Sequence, residues 1–173
     1  YRLMLVEVDL DLVQNSVDAA RRAIDGGHNV EARGLLRAAR DRFRGPAFPE
    51  LDDDTSLIGL RRQVSELELA LTEDLFGLDL ASGGHQEVIG ELEVLVGRDP
   101  TRERAWCLLV SALAATGRHA DALNAVSRAR RGLVLELGVE PGPELRQLEL
   151  AVLEHRVPPA DSVRMADVIA SHD

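Results

Sequence analysis

The chain repeats itself. Gly83-Gly84-His85 and Gly117-Arg118-His119 stand thirty-four positions apart, and the apolar residues around them superimpose at that shift: Leu75 on Leu109, Val88 on Ala122, Leu92 on Val126, Leu95 on Ala129. Thirty-four residues is the period of the tetratricopeptide unit, two antiparallel helices that cannot bury their apolar faces alone and so stack on their neighbours. The register therefore predicts an all-α, tetratricopeptide-like fold of stacked antiparallel helix pairs in a right-handed superhelix. Such units serve as binding scaffolds, so partners are the first place to look for function.

The clearest repeat runs from Leu69 to Arg102 and closes at Pro100; the next begins at Glu103. Trp106 and Leu109 lie in its first helix, and Ala122, Val126 and Ala129 in its second, where small alanines let two helices cross closely. Gly83 and Gly117 supply the turns, since a residue without Cβ takes positive φ at no steric cost. The second helix of the last repeat reads as extended, because no proline stops it before Pro141. Gly138, Pro141 and Gly142 then break the chain, and Pro143 opens a last helix carrying Leu145, Leu148, Val152 and Leu153.

Towards the N-terminus an earlier pair spans Asp18 to Arg40, with Gly27 and Ala32 at the turn and small-residue positions of the later repeats. Its second helix is expected over Val30 to Phe43. Tyr1 to Val6 reads as a short apolar, β-prone run. Gly45-Pro46-Ala47-Phe48-Pro49 cannot continue a helix, and an acidic loop, Glu50 to Asp54, follows. Thr55 is a plausible cap for a long helix reaching about Ala81. Its stripe of Leu57, Leu60, Val64, Leu67, Leu71, Leu75 and Leu78 fits a coiled-coil seam with another chain or a scaffold helix packed in its own domain; the second is the favoured reading. Residues 160 to 173 read as a linker or a weak final helix.

Composition narrows the function. A hydrophobic content of 45% fits a folded domain, and only 3% aromatic residues means a core of Leu, Val, Ala and Ile. All 20 basic residues are arginine, and the net charge of −10 repels phosphate, so the chain by itself is a poor nucleic-acid binder. One cysteine, Cys107, permits no internal disulfide and no cysteine-rich zinc module, as suits a reducing cytoplasm. No apolar run approaches the ~20 residues that span a bilayer, and no signal segment opens the chain. A chain starting at Tyr1 rather than Met reads as a piece of a longer protein.

No catalytic set emerges. His85 and His119 occupy equivalent positions just after the turns, which the repeat itself explains, and no His-x-x-x-His or Cys-x-x-Cys spacing supports a metal. Without lysine there is no Gly-x-x-x-x-Gly-Lys phosphate loop, and Asp52-Asp53-Asp54 lacks the spacing of a calcium loop. Cys107 is expected to be buried and inert. No cofactor, metal or catalytic residue is assigned. Arg102, Arg104, Arg118, Arg128, Arg130 and Arg131 cluster in the second repeat; they read as surface charge paired with Asp99, Glu103 and Asp121, or else as a patch for an acidic partner.

Four local phrases resemble one family. Arg42-Phe43-Arg44-Gly45-Pro46-Ala47-Phe48 is similar to the leucine-tryptophan-arginine-glycine-proline segment of the bacterial transcriptional activation domain, with Phe43 in place of tryptophan. Asp99-Pro100-Thr101-Arg102-Glu103-Arg104 resembles its proline-leucine-arginine-glutamate turn, with Thr101 in place of leucine. Gly117-Arg118-His119-Ala120-Asp121-Ala122-Leu123 looks like its glycine-arginine-x-alanine-x-alanine-leucine signature. Leu137-Gly138-Val139-Glu140-Pro141-Gly142-Pro143-Glu144-Leu145 resembles its closing stretch, the most specific of the four.

The resemblance covers residues 1 to 156 and implies the helical domain of actinobacterial regulators of the Streptomyces antibiotic regulatory protein type. It implies a preceding winged-helix domain that reads DNA, with residues 1–8 as the remnant of its last wing strand and junction, 9–156 as the activation domain and 157–173 as linker or weak helix. The implied role is transcription activation without enzymatic activity. Its partners would be proteins: the chain's own winged-helix domain, a second subunit or RNA polymerase components, with DNA reached only through the flanking domain. The alternative is an adaptor or relay module of a multidomain signalling ATPase or cyclase. On the repeat geometry, Ala70, Glu73, Leu80, Ala81, Arg104, Cys107, Ser111, Ala114 and Ala115 are expected to line an inner, partner-binding face.

Overall fold

The computed structural model describes residues 2–43 and 58–154. Among these residues every regular element is a helix: α1 (Arg2–Asp25), α2 (Asn29–Arg40), α3 (Ile58–Ala81), α4 (His85–Arg98), α5 (Glu103–Ala115), α6 (His119–Leu137) and α7 (Pro143–Leu153). The chain divides into two compact units, Tyr1–Leu78 and Asp79–Asp173.

The three repeat turns are built alike. At each, the glycine N–H bonds back three residues and the next N–H bonds back five, the Schellman pattern that satisfies the last carbonyls of a helix. His28 N–H meets the Ala23 carbonyl at 2.7 Å and Gly27 N–H the Ile24 carbonyl at 2.9 Å. The Asp79/Leu80 carbonyls accept from Gly84 and Gly83 in the same way, and the Leu113/Ala114 carbonyls from Arg118 and Gly117. The glycines sit at φ 77, 84 and 77°, which is why glycine recurs there.

In the first unit α1 packs against α2. Val13, Val17, Ala20 and Ala23 form the buried stripe of α1, and Ala32, Leu36 and Ala39 that of α2. The run Tyr1–Val6, expected to be extended, is corrected here: α1 starts at Arg2. No glycine or proline interrupts residues 1–25, and Leu3, Val6, Leu10, Val13 and Val17 keep helical spacing, so propagation from a formed helix wins over local β propensity. The second helix also stops at Arg40 rather than Phe43, because Asp41 N–H closes on the Arg37 carbonyl and Phe43 N–H on that of Arg40 in a final turn. Thr55, the Gly45–Pro49 break, the acidic loop and the segment after Glu154 lie outside the described residues. In α3, Leu71, Leu75 and Leu78 are buried, whereas Val64 and Leu67 are half-buried.

In the second unit α5 is the centre. α4 and α6 pack on it, and α7 rests on both α5 and α6. Nine of its residues are buried, Ala105 through Val110 in unbroken sequence with Ala112, Leu113 and Ala114; a helix apolar on all sides belongs in the middle of a core. α6 runs to Leu137 and is stopped by Gly138 at φ 69°. Pro143 is the first residue of α7, where its missing N–H costs nothing.

Candidate interaction surface

The last repeat is locked around Trp106. The ring is buried to 2% exposure, and its Nε1–H donates to the Pro100 carbonyl at 2.9 Å, tying α5 to the turn after α4. Gly132 of α6 comes in from the other side: a Cβ there would lie 3.0 Å from the same carbonyl oxygen. Arg128 of α6 stands over the indole at 5.0 Å and reaches Glu93 of α4 at 2.9 Å. The ring face attracts the cation, while the half-exposed ion pair adds under ~1 kcal/mol. Three helices thus converge on one aromatic residue.

A second set of polar contacts fixes α7. Glu103 Oε1 accepts the Gly142 N–H at 2.7 Å, placing a carboxylate at the N-terminus of α7 as well as in the first turn of its own helix, both favourable to negative charge. Arg130 donates to Glu149 at 3.0 Å and approaches Glu140 at 3.5 Å.

Three of the clustered arginines pair with carboxylates. Arg118 pairs with Asp121 at 2.7 Å as expected. Arg128 and Arg130 pair across helices, with Glu93 and Glu149, while Glu103 accepts the Gly142 amide and Asp99 the Thr101 hydroxyl. The signal for Arg128 was available, because Glu93 stands 35 residues away, one repeat plus one position, and stacked units bring such residues together. For Arg130 no spacing rule existed, since α7 lies beyond the last regular repeat.

The residues expected to line an inner face differ in exposure. Arg104, Cys107, Ser111 and Ala114 do share one face of α5, spaced three, four and three apart, and Leu80 and Ala81 close α3. Yet Leu80, Cys107 and Ala114 are buried, as is Glu73 at 1% exposure, so their side chains are filled in by the chain's own packing. Ala70, Ala81, Arg104 and Ser111 are half-buried and Ala115 is exposed. Of the repeat-defining residues, Trp106, Ala122 and Ala129 are buried and Gly27, Gly83, Gly117 and Gly138 make turns; Pro141 is buried and Pro100 half-buried. His85 and His119 are the first residues of α4 and α6. No group of three His, Cys, Asp or Glu among the described residues is arranged to hold a metal, and no described helix is long and apolar enough to cross a membrane.

The paired helices, glycine turns and proline-ended repeat fall within a match to a known family: the family model described as the bacterial transcriptional activator domain covers residues 8–153. The chain belongs to this family. Regulatory protein AfsR of Streptomyces griseus is 36% identical over 157 residues, 89% of this chain and 16% of AfsR. Regulatory protein DnrI of Streptomyces peucetius is 31% identical over 175 residues, 92% of this chain and 64% of DnrI. A solved structure of Mycobacterium tuberculosis EmbR in complex with a low affinity phosphopeptide superposes with TM-score 0.83 at 28% identity, covering 94% of this chain and 44% of that one. The chain is a bacterial transcriptional activator domain of the Streptomyces antibiotic regulatory protein type, and it spans less than two thirds of these relatives' lengths.

Proposed function

We propose that this bacterial transcriptional activator domain is a protein-interaction module of a cytoplasmic transcriptional regulator. It positions a neighbouring winged-helix DNA-binding domain and carries contacts to a second subunit or to the transcription machinery. DNA is reached through the neighbour alone, in keeping with a net charge of −10. The observation that carries the reading is the combination in the second unit of cross-bonded helices with large apolar side chains left in solvent, Leu135 at 82% and Val94 at 63% exposed. A rigid frame that displays apolar residues is suited to holding protein partners. That the EmbR relative was solved with a phosphopeptide supports a peptide-binding role for such regulators as whole proteins. A second reading, a relay domain in a multidomain signalling protein, draws on AfsR, of which this chain covers only 16%.

The accessible part of the inner face of α5, Ser111 with Ala115, provides the test. In the full-length regulator, Ser111→Glu combined with Ala115→Arg is expected to reduce transcription from its target promoter while leaving promoter binding in gel shift intact. Unchanged transcription and unchanged partner capture would reject a role for this face.

A further inference from the structure

Helices α4 and α6 are the second helices of successive repeats, and the Glu93–Arg128 ion pair at 2.9 Å joins them side by side. On α6, Leu135 and Arg131 lie about 20° and about 60° round from Arg128, both towards the exposed side. On α4, Gly97 and Gly90 lie about 40° and about 60° round from Glu93 towards that same side, with Val94 about 100° round. The repeat shift sets Gly97 level with Arg131. A shallow trough therefore runs along the outside of the helix pair. Its floor is the ion pair with the two glycines, over which an added Cβ would meet nothing within 4 Å. One wall carries Val94 at 63% exposure and the other Leu135 at 82%.

The charge at one end of the trough selects its occupant. Arg131 is exposed on the α6 wall and Arg98 on the outer rim of α4, in its last turn. Neither has a carboxylate partner among the described residues. Glu93, in the floor, is neutralised by Arg128, and Glu87 and Glu91 stand towards the opposite end of α4. We infer that the trough holds an acidic, leucine-bearing amphipathic helix of another protein. Its apolar stripe covers Val94 and Leu135, as helix-in-groove docking requires, and its carboxylates meet Arg98 and Arg131 in charge-assisted bonds. The glycine floor leaves the depth that such a helix needs. Long-range repulsion from the net charge of −10 is screened beyond ~8 Å at physiological ionic strength, so the contact charges decide. A basic helix would set its cations against the two arginines.

The proposal rests on the reading of the domain as an interaction module and names the chemistry of the partner. Fluorescence anisotropy tests it with the 173-residue chain and a fluorescein-labelled helical peptide. The peptide carries leucine on one face and glutamate on the other, and a twin carries lysine for every glutamate. The expected result is saturable, sub-millimolar binding of the glutamate peptide and none of the lysine twin. Arg131→Glu and Leu135→Ser should each raise the dissociation constant about tenfold or more, and Arg98→Glu about fivefold or more. Gly97→Leu should weaken binding about tenfold by filling the floor, although leucine is the better helix former. Arg146→Glu, the same charge change on the exposed side of α7, should leave the constant within about twofold. Circular dichroism of each variant separates lost binding from lost fold, which these exposed positions are not expected to disturb.

A glutamate peptide that does not bind overturns the proposal, as does one indifferent to Arg131→Glu, Leu135→Ser or Gly97→Leu, or a lysine twin that binds equally well. Binding that appears only once residues 157–173 are removed would give the trough to the chain's own tail. Self-association of the chain that Leu135→Ser abolishes would give it to a second copy. Either result equally overturns the proposal. Failure here leaves the interaction reading standing, since the transcription assay at Ser111 and Ala115 of α5 tests that separately.

Discussion

The same substitution, glycine to alanine inside a helix, should stabilise the second unit at one position and destabilise it at another. Alanine is the better helix former by ~1 kcal/mol because it loses less backbone entropy. At Gly90 in α4 an added Cβ meets nothing within 4 Å, so Gly90→Ala should gain about 0.5–1 kcal/mol. At Gly132 in α6 the new Cβ would stand 3.0 Å from the Pro100 carbonyl oxygen and 3.2 Å from the Pro100 Cβ. Whether that costs anything depends on how firmly the turn is held, and it is held from several sides. The same oxygen accepts the Trp106 Nε1–H at 2.9 Å, Asp99 N–H bonds the Leu95 carbonyl at 3.0 Å, and the Thr101 hydroxyl donates to Asp99 at 2.8 Å.

Overpacking against such a restrained neighbour costs roughly 1–3 kcal/mol, which outweighs the propensity gain and leaves Gly132→Ala about 1 kcal/mol less stable than the parent. The two variants should therefore differ by about 2 kcal/mol. Urea unfolding followed by circular dichroism and by the fluorescence of the single tryptophan would separate their midpoints by about 1 M, given slopes of ~1–3 kcal/mol per molar. If the midpoint of Gly132→Ala equals or exceeds that of Gly90→Ala, the turn yields freely and α6 is not clamped on Pro100.

Three further outcomes follow from the same contacts. Trp106→Phe removes the donor to the Pro100 carbonyl and weakens the seat of Arg128, so thermal unfolding should report a loss of about 2 kcal/mol. Gly117→Ala places a side chain at φ 77° and should cost ~1 kcal/mol; a neutral result in chemical denaturation would show the turn re-forming without a left-handed residue. Glu103→Ala leaves the Gly142 amide without its carboxylate and should cost about 1–2 kcal/mol, with hydrogen exchange in α7 rising more than in α4. Equal protection in both helices would show that Glu103 does not anchor α7.

What could be read from the sequence was whatever repeated or punctuated. The glycine turns recur at Gly27, Gly83 and Gly117 because the same two backbone bonds must close at each. The length of α6 followed from the absence of a breaker before Gly138, and the start of α7 from Pro143. Where a property depended on what packs from outside the local repeat, periodicity misled. The β-prone Tyr1–Val6 run joined the helix that follows it. Ala114, like the Cys107 expected to be buried, sits at an inner-face repeat position yet is buried, since α5 is enclosed to a degree that helical spacing alone does not encode. Nothing in the repeat spacing marks Gly132; its approach to Pro100 gives it a reason.

The enclosure of α5 has a kinetic side. Its backbone amides lie under α4, α6 and α7, so they can exchange with solvent only when the whole unit opens. α7, shorter and resting on α5 and α6 through Leu145 and Val152 as well as the Glu103 and Arg130 contacts, can detach in a smaller event. Between those extremes the second unit has a graded order of release, with α7 the first of its described helices to let go and the tryptophan-bearing α5 the last. A partner that captured α7 in its detached state would have to re-bury Leu145 and Val152 as well as replace those polar contacts, and would leave α5 still covered by α4 and α6.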